Sequence, residues 1–213
     1  MTEFILVIGG RNWSSWSLRP WLVLKQTGVA FDEAHVSLRQ PDTRQQILQH
    51  SPSGKVPVLK HNGLTIWDSL AIAEYLAEQF AHMQLWPIDT AARARARAIS
   101  AEMHSGFQAL RAHLPMDILG RFPGQGLDGE GVAQDIARIQ QIWRDARSQW
   151  GTGGPFLFGA FSIADAMYAP VVTRFLTYDV PCDTVCGTYR DNVWNMPAML
   201  EWRAGCDRTG YGD

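Results

Sequence analysis

Strand-like segments are confined to the first 80 of the 213 residues, which limits the fold to a small α/β unit followed by a different kind of domain. Four apolar runs have the length and composition of strands: Phe4–Ile8, Phe31–Val36, Val56–Leu59 and Leu64–Trp67. The last two flank Asn62-Gly63, a dipeptide typical of hairpin turns. Helical spacing runs from about Ser17 to Thr27 and again from Ser69 to Phe80. The order β-α-β-α-β-β-α predicts an α/β domain with a mixed sheet.

After residue 80 the strand-like runs disappear and helical spacing dominates. Helical patterns cover roughly residues 90–115, 131–150, 163–178 and 196–206. The segment 81–90 contains Pro87 and has little periodicity, so we place a domain boundary there. The sequence thus predicts an α/β domain at residues 1–80, a linker at 81–90 and an all-helical domain at 91–213.

Composition and charge exclude several classes of protein. Hydrophobic residues make up 46% of the chain and charged residues 19%, which excludes an intrinsically disordered chain. With 19 Lys and Arg against 21 Asp and Glu, and no basic stripe, the net charge of −2 argues against nucleic-acid binding. The longest apolar run, Ala166–Val172, is far shorter than the about 20 residues of a membrane-spanning helix. We therefore expect neither nucleic acid nor a membrane as a partner.

The first residues and the cysteines indicate the cellular compartment. Met1-Thr2-Glu3-Phe4 lacks a basic segment, and the apolar stretch Phe4–Ile8 is too short for a secretory signal. Cys182, Cys186 and Cys206 form an odd count, and free thiols in a reducing compartment are the simplest interpretation. We expect a cytoplasmic protein.

Some motif-like patterns lack the context that their chemistry requires. Gly124–Gly129 matches G-x-G-x-x-G, but no strand leads into it, so we interpret it as a loop between helices. Cys182 and Cys186 have no second ligand pair and no histidine at metal-binding spacing, so we expect no metal. The sequence also has no G-x-S-x-G turn, which argues against a serine hydrolase.

Three serines, Ser14, Ser15 and Ser17, lie where the first strand gives way to a helix. Serines often cap helices, and Pro20 suits a first helical turn, so a structural role explains one of them. Three serines exceed what one cap requires, and the free N–H groups at a helix start favour an anion. Because no histidine or acid adjoins them, we predict a hydrogen-bond donor to a ligand's anion rather than a nucleophile.

Two further turns have residues suited to a peptide-like ligand. In Lys55-Val56-Pro57, a cis bond before the proline would turn the Val56 backbone outward to pair with an extended ligand. Where the fourth strand meets a helix, Ser69 is a natural N-cap that can bind a carboxylate, and Asp68 can hold an ammonium group. Together the three turns suit a thiolate, a peptide backbone and an α-amino acid head, which is the shape of glutathione.

These motifs resemble those of the cytosolic glutathione S-transferase superfamily, and the resemblance covers nearly the whole chain. Lys55-Val56-Pro57 resembles the family's turn with a cis proline, and Asp68-Ser69 resembles its acidic-serine pair for the γ-glutamyl group. Phe161–Asp165 resembles a signature of the C-terminal domain, in which Ser162 and Asp165 would form a capping box. The resemblance implies a thioredoxin-like N-terminal domain, a helical C-terminal domain, glutathione as co-substrate and a homodimer.

The serine segment resembles one class within that superfamily. Ser14-Ser15-Trp16 is similar to the Ser-Ser-Cys motif of the zeta class, which includes maleylacetoacetate isomerases, with tryptophan in place of cysteine. This similarity assigns the catalytic-serine position to Ser14, whereas the spacing of theta-like members favours Ser15. Arg174 resembles an arginine of the zeta class that binds the substrate carboxylate, displaced by nearly one helical turn.

The pocket for a second substrate is expected between the two domains. One predicted helix there contributes Met103, His104, Phe107 and Arg111. The first, third and fourth of these would share a face, either packed in the core or forming a pocket wall. Trp13 would cover the thiol site or pack at the domain interface. If Arg111 reaches the pocket, an anionic electrophile is implied.

Several functions are compatible with these features. The resemblance favours a glutathione transferase that adds the glutathione thiolate to a small electrophile. The alternatives are a glutathione-dependent cis–trans isomerase of the maleylacetoacetate type and a non-catalytic binding protein with the same fold. A thiol-transferring enzyme would need a cysteine near residue 14, and the first cysteine in the chain is Cys182.

Overall fold

The computed structural model describes residues 3–208, and its first part is a four-stranded sheet with three helices. The elements in chain order are β1 (Phe4–Gly9), α1 (Ser15–Thr27), β2 (Phe31–Val36), α2 (Thr43–Leu48), β3 (Val58–His61), β4 (Leu64–Trp67) and α3 (Ser69–Gln79). The strand order in the sheet is β2-β1-β3-β4. β1 pairs in parallel with β2, whereas β3 is antiparallel to both β1 and β4. The predicted element order and mixed sheet are confirmed.

Local sequence explains the centre of this sheet and its hairpin. β1 pairs on both edges, and Leu6, Val7 and Ile8 are fully buried, as expected of a continuous apolar run in a central strand. Asn62 and Gly63 connect β3 to β4 with φ angles of 49° and 78°. Both residues therefore adopt the left-handed conformation that a type I′ hairpin turn requires, which explains the Asn-Gly pair.

Helices form the rest of the described chain. A short 3-10 helix, Ala81–Met83, precedes α4 (Thr90–Ser105), α5 (Gln108–His113), α6 (Val132–Trp150), α7 (Ile163–Thr177), α8 (Thr184–Asn195) and α9 (Pro197–Ala204). α7 lies at the centre of this part and packs against α1, α4 and α8. The core is continuous across both parts, since Trp21 of α1 and Trp202 of α9 pack with ring centroids 5.1 Å apart. The Gly124–Gly129 segment is a loop between α5 and α6, as predicted.

The predicted helix at residues 90–115 is wrong, because α4 and α5 are separate helices that meet at Gly106 and Phe107. Phe107 adopts a left-handed φ of 58°, which ends the regular helical path. Gly106 allows the break, since a Cβ at this position would lie 2.8 Å from the carbonyl oxygen of Glu102. The expectation that Met103 and Arg111 share a face of one helix is therefore also wrong.

The start of α7 contains the predicted capping box. Oδ2 of Asp165 accepts hydrogen bonds from the backbone N–H of Ser162 at 2.8 Å and from its Oγ at 3.0 Å. Oδ1 of Asp165 accepts from the N–H of Leu157 at 3.0 Å and from the hydroxyl of Tyr189 at 3.1 Å. The carboxyl group thus joins α7, α8 and the loop before α7 in the interior of the molecule.

Three further expectations from the sequence concern the domain bounds, membrane-spanning helices and metal binding. Residues 1–2 and 209–213 of the two predicted domains lie outside the described residues, and the boundary at 81–90 stays a prediction. Within residues 3–208, no helix combines the length and apolarity needed to cross a membrane. The same residues contain no group of His, Cys, Asp or Glu side chains that is arranged to bind a metal ion.

Candidate functional site

A cleft of about 670 Å³ brings together the three turns that the sequence singles out. Its walls come from the first turn of α1, the turn before β3, the β4–α3 turn, the region around α2, and α4. The lining residues are Trp16, Leu38, Ile47, Ser53, Lys55, Val56, Pro57, Trp67, Asp68, Ser69 and His104. All five residues predicted to bind glutathione, residues 55–57 and 68–69, therefore line one cleft.

The turn before β3 forms part of the cleft wall. The Val56-Pro57 bond is cis, as the resemblance implied. Because β3 begins at Val58, Val56 lies just outside the strand ladder. The preceding loop is held by Ser53, whose Oγ accepts a hydrogen bond from the N–H of Lys55 at 3.2 Å.

The β4–α3 turn places a carboxylate and a free hydroxyl side by side. Asp68, with a φ of 75°, is the N-cap of α3: its Oδ1 accepts from the N–H groups of Leu70 at 2.9 Å and Ala71 at 3.2 Å. The expectation that Ser69 caps this helix is wrong, because the aspartate reaches the free N–H groups of the first turn. The Ser69 hydroxyl is buried and finds no hydrogen-bond partner within residues 3–208. Both groups are therefore positioned to meet a charged ligand.

The serines at the start of α1 lie beside the cleft rather than in its wall. Ser14 is the N-cap of α1, and its Oγ donates to Oγ of Ser17 at 2.7 Å. The Ser17 Oγ also accepts the N–H of Gly9 at 3.2 Å, which ties the helix start to the end of β1. Ser14 is 5% exposed and Ser15 is 7% exposed, and neither is among the residues that line the cleft.

Two arginines pack against Trp16, which lines the cleft. The guanidinium carbon of Arg19 lies 4.2 Å from the centroid of the Trp16 ring, and that of Arg111 lies 4.8 Å from it. Arg19 is fully buried, and its three guanidinium nitrogens have no hydrogen-bond partner in the part of the chain that the structure describes. Burial, with Arg111 and Arg174 nearby, lowers the pKa of Arg19 well below its usual range. An anion close to Trp16 would therefore meet a positive potential.

The residues predicted to line a second-substrate pocket are dispersed. His104 lines the cleft, whereas Phe107 is 7% exposed and belongs to the core. Trp13 lies beside Gly10, outside the cleft lining. Arg174 is buried, and it donates from Nε to the carbonyl of Leu114 at 2.8 Å and from Nη1 to that of Pro170 at 2.9 Å. Burial lowers the pKa of Arg174 to about 9.

Arg111 is neither in the cleft lining, as His104 is, nor buried in the interior, as Phe107 and Arg174 are. Its Nε donates to the carbonyl of Gly106 at 3.0 Å, and Nη2 donates to the carbonyl of Met103. These bonds close the break between α4 and α5 while the guanidinium stays against Trp16. Burial lowers its pKa.

One contact in the site has no signal in the sequence. Nε2 of His104, on α4, lies 3.0 Å from Oδ2 of Asp68, in the β4–α3 turn. The His104 ring also packs edge-on against Trp16, with ring centroids 5.3 Å apart. Because the three residues belong to three separate elements, no spacing rule relates them.

Comparison with known proteins agrees with this geometry. Residues 13–79 match the family description "Glutathione S-transferase, N-terminal domain", and residues 90–208 match "Glutathione S-transferase, C-terminal domain". The chain is 29% identical over 194 residues to a probable maleylacetoacetate isomerase of Caenorhabditis elegans, covering 89% of this chain and 88% of that protein. It is 30% identical over 168 residues to the maleylacetoacetate isomerase of Rattus norvegicus, covering 77% of this chain and 74% of that protein.

The chain therefore belongs to the glutathione S-transferase family. Solved structures show the same fold: a glutathione transferase homologue from Burkholderia, solved with bound glutathione, has a TM-score of 0.69 at 24% identity, covering 93% of this chain and 95% of that one. Glutathione transferase Omega 3C from Trametes versicolor has a TM-score of 0.71 at 19% identity, covering 98% of this chain and 91% of that one. The family, the fold and the enzyme class that the resemblance implied are confirmed.

Proposed function

We propose that the cleft binds glutathione and that the protein adds the glutathione thiolate to a small electrophile. The observation that carries this proposal is the meeting of the turn before β3, the β4–α3 turn and the first turn of α1 in one cleft. Val56 lies outside the strand ladder, so its backbone is suited to pair with the cysteinyl part of glutathione. Asp68 and the Ser69 hydroxyl, which has no hydrogen-bond partner among residues 3–208, suit the ammonium and the carboxylate of the γ-glutamyl group.

Ser14 is the proposed donor to the thiolate, and Ser15 is the alternative. A helix N-terminus stabilises an anion through its free N–H groups and its dipole, and Ser14 caps α1 at that point. We do not propose the serine as a nucleophile, because its hydroxyl has no general base among its hydrogen-bond partners within residues 3–208. Its role would be to keep the glutathione thiol ionised.

A glutathione-dependent cis–trans isomerisation is the second candidate. The observation that favours it is the similarity to maleylacetoacetate isomerases over most of the chain. In an isomerisation the thiolate adds to a double bond and leaves again, so glutathione is regenerated. Net consumption of glutathione therefore distinguishes the two reactions, because only conjugation removes it from solution.

The test of the proposed function is a pH titration of the ultraviolet absorbance of glutathione thiolate in the presence of the protein. We expect the pKa of the bound thiol to fall well below the about 8.5 of a free thiol. Absence of glutathione binding, or a bound thiol that titrates as it does in free solution, would contradict the proposal and favour a non-catalytic binding protein. A lowered pKa makes it worthwhile to screen electrophiles.

We expect Arg111→Ala to reduce the preference for anionic over neutral electrophiles by about three- to tenfold in kcat/KM. The reason is that its guanidinium lies against Trp16, which lines the cleft, so it provides positive potential there. The measurement compares kcat/KM for a carboxylate-bearing electrophile and for its neutral ester.

Arg144→Ala is the matched control for this prediction. Arg144 is an exposed arginine that pairs with Asp183 and is not among the residues that line the cleft, so its removal should leave the preference unchanged. If Arg111→Ala prefers anionic over neutral electrophiles as strongly as the wild type does, Arg111 only closes the break between α4 and α5. Circular dichroism of both variants checks that the helices are retained.

The proposal includes the assembly and location expected from the sequence. We propose a homodimer, a cytoplasmic location and a domain boundary at residues 81–90. Cys182, Cys186 and Cys206 form no disulfide in the structure, which is compatible with such a location. Sedimentation velocity measures the oligomeric state directly.

A further inference from the structure

The two carboxylate oxygens of Asp68 have different surroundings. Oδ1 accepts hydrogen bonds from two backbone N–H groups, those of Leu70 and Ala71, and so completes the first turn of α3. Oδ2 lies 3.0 Å from Nε2 of His104. The Asp68 side chain is still 44% exposed, so a ligand in the cleft can reach the carboxylate. A ligand in the cleft can therefore reach Oδ2, and the contact with His104 sets the direction in which this oxygen points.

The His104 ring is held in place on several sides. Met103, its neighbour on α4, is 1% exposed and anchors this turn of the helix in the core. The edge of the ring packs against Trp16. Nδ1 is buried without a hydrogen-bond partner within residues 3–208, and turning the ring over would put a carbon, Cε1, in place of Nε2 beside Asp68. The contact with Asp68 is thus a fixed feature of the cleft wall.

The Nε2 atom of His104 can present a hydrogen to Asp68. That hydrogen is directed at Oδ2, 3.0 Å away, and the hydrogen bond leaves the negative charge on the carboxylate. A ligand ammonium group would then meet an anion that is already oriented.

We propose that His104 is a positioning residue for the α-ammonium group of a γ-glutamyl thiol, acting by holding Oδ2 of Asp68 toward the cleft. The inference rests on the proposed function, since it assumes that glutathione binds in this cleft. It assigns to a helix of the second part of the chain a role in recognising the ligand head, and it explains why His104 and Asp68 meet across two elements.

Two substitutions at His104 separate this role from a merely structural one. The amide nitrogen of glutamine occupies about the place of Nε2, so His104→Gln keeps a donor directed at Asp68. The amide of asparagine lies near the place of Nδ1, so His104→Asn fills the same region but loses the contact. Both variants keep a polar side chain of similar size against Trp16.

The experiment measures dissociation constants by calorimetry for glutathione and for N-glutaryl-cysteinylglycine, which lacks only the α-ammonium group. We expect His104→Asn to weaken glutathione binding about five- to tenfold and to leave binding of the desamino compound within about twofold. His104→Gln should restore the wild-type preference for glutathione to within about twofold. Asp68→Asn should abolish the preference, and adding His104→Asn to it should cause no further loss.

Other results would overturn the inference. Equal weakening of both ligands by His104→Asn would indicate a structural role, and tighter glutathione binding would indicate that His104 competes with the ammonium group. An unchanged preference in His104→Asn would overturn the inference alone, since glutathione would still bind. No binding of glutathione by the wild type would overturn the proposed function as well. His82→Asn, an exposed histidine on the 3-10 helix, is the control and should change neither constant.

Discussion

Ser14→Ala is expected to slow glutathione conjugation about eight- to twenty-five-fold at pH 7, with little change in glutathione affinity. A hydrogen bond to a charged group contributes about 1.5–3 kcal/mol, and about 1.36 kcal/mol corresponds to one pKa unit. The Ser14 hydroxyl would therefore lower the pKa of the bound thiol by about one to two units. Without it the thiolate fraction at pH 7 falls from about 24–76% to about 3%, whereas the contacts that bind the rest of glutathione remain.

The hydrogen bond between Ser14 and Ser17 is compatible with this role. Ser14 now donates to Ser17, but a hydroxyl hydrogen rotates freely and each hydroxyl oxygen can also accept. If Ser17 donates to Ser14 instead, the Ser14 hydrogen becomes free for a thiolate, and no heavy atom has to move. Ser17 would keep accepting the N–H of Gly9 during this exchange. The pair thus forms a short relay in which Ser17 supports the donor.

The measurement is the pH dependence of kcat with a small electrophile, together with the absorbance titration of the bound thiol. Below the thiol pKa of both proteins the rates should differ by the full factor, and they should converge as the pH rises above the pKa of the variant. Ser15→Ala is the matched substitution one residue away. Wild-type rates in Ser14→Ala together with a loss in Ser15→Ala would transfer the role to Ser15.

Features that depend on neighbours in the sequence were predictable. The hairpin at Asn62-Gly63 follows from two residues that tolerate a positive φ, and the structure has both in that conformation. The capping box depends on Ser162 and Asp165, which are three residues apart, so local spacing is sufficient to identify it. The cis bond before Pro57 was expected only from the family resemblance, because sequence alone favours the trans form.

Other features depend on the packing of distant segments. The helical spacing in the sequence continues through Gly106 and Phe107. The break becomes apparent only in the structure, where a side chain at position 106 would meet the carbonyl of Glu102. Helix α8 was missed because threonine, cysteine and glycine give it low helix propensity. Two features of its sequence do predict a helix: Asp183 is a suitable N-cap, and the buried residues Cys186 and Tyr189 follow it at helical spacing.

The site was predictable to the extent that each turn has a local motif. Residues 55–57 and 68–69 line one cleft because each group follows or precedes a strand of one sheet, and their role in binding glutathione stays a prediction. The partners that come from the helical part were not predictable in this way. The contact of His104 with Asp68, and the packing of Arg111 against Trp16, bring together residues of different elements.

Asp165→Asn is expected to lower the free energy of unfolding by about 3–5 kcal/mol, although Asp165 lies outside the cleft. Asparagine has nearly the same shape, but its amide nitrogen would replace one carboxylate oxygen. Placed at Oδ2, the nitrogen faces the N–H and hydroxyl of Ser162; placed at Oδ1, it faces the N–H of Leu157 and the hydroxyl of Tyr189. In either orientation buried donors confront each other, and each unsatisfied group costs about 1–3 kcal/mol.

Thermal unfolding at pH 7.5 measures this effect, because burial raises the pKa of Asp165 only to about 6 and the wild-type group is then a carboxylate. At about 2–4 °C per kcal/mol for a chain of this size, we expect Tm to fall by about 10 °C. Asp128→Asn, an exposed aspartate in the loop before α6, is the matched control and should leave Tm unchanged. If Asp165→Asn unfolds at the same temperature as this control, the capping box does not hold α7 in place. In that case the packing of α7 in the core would be sufficient to keep the helical domain folded.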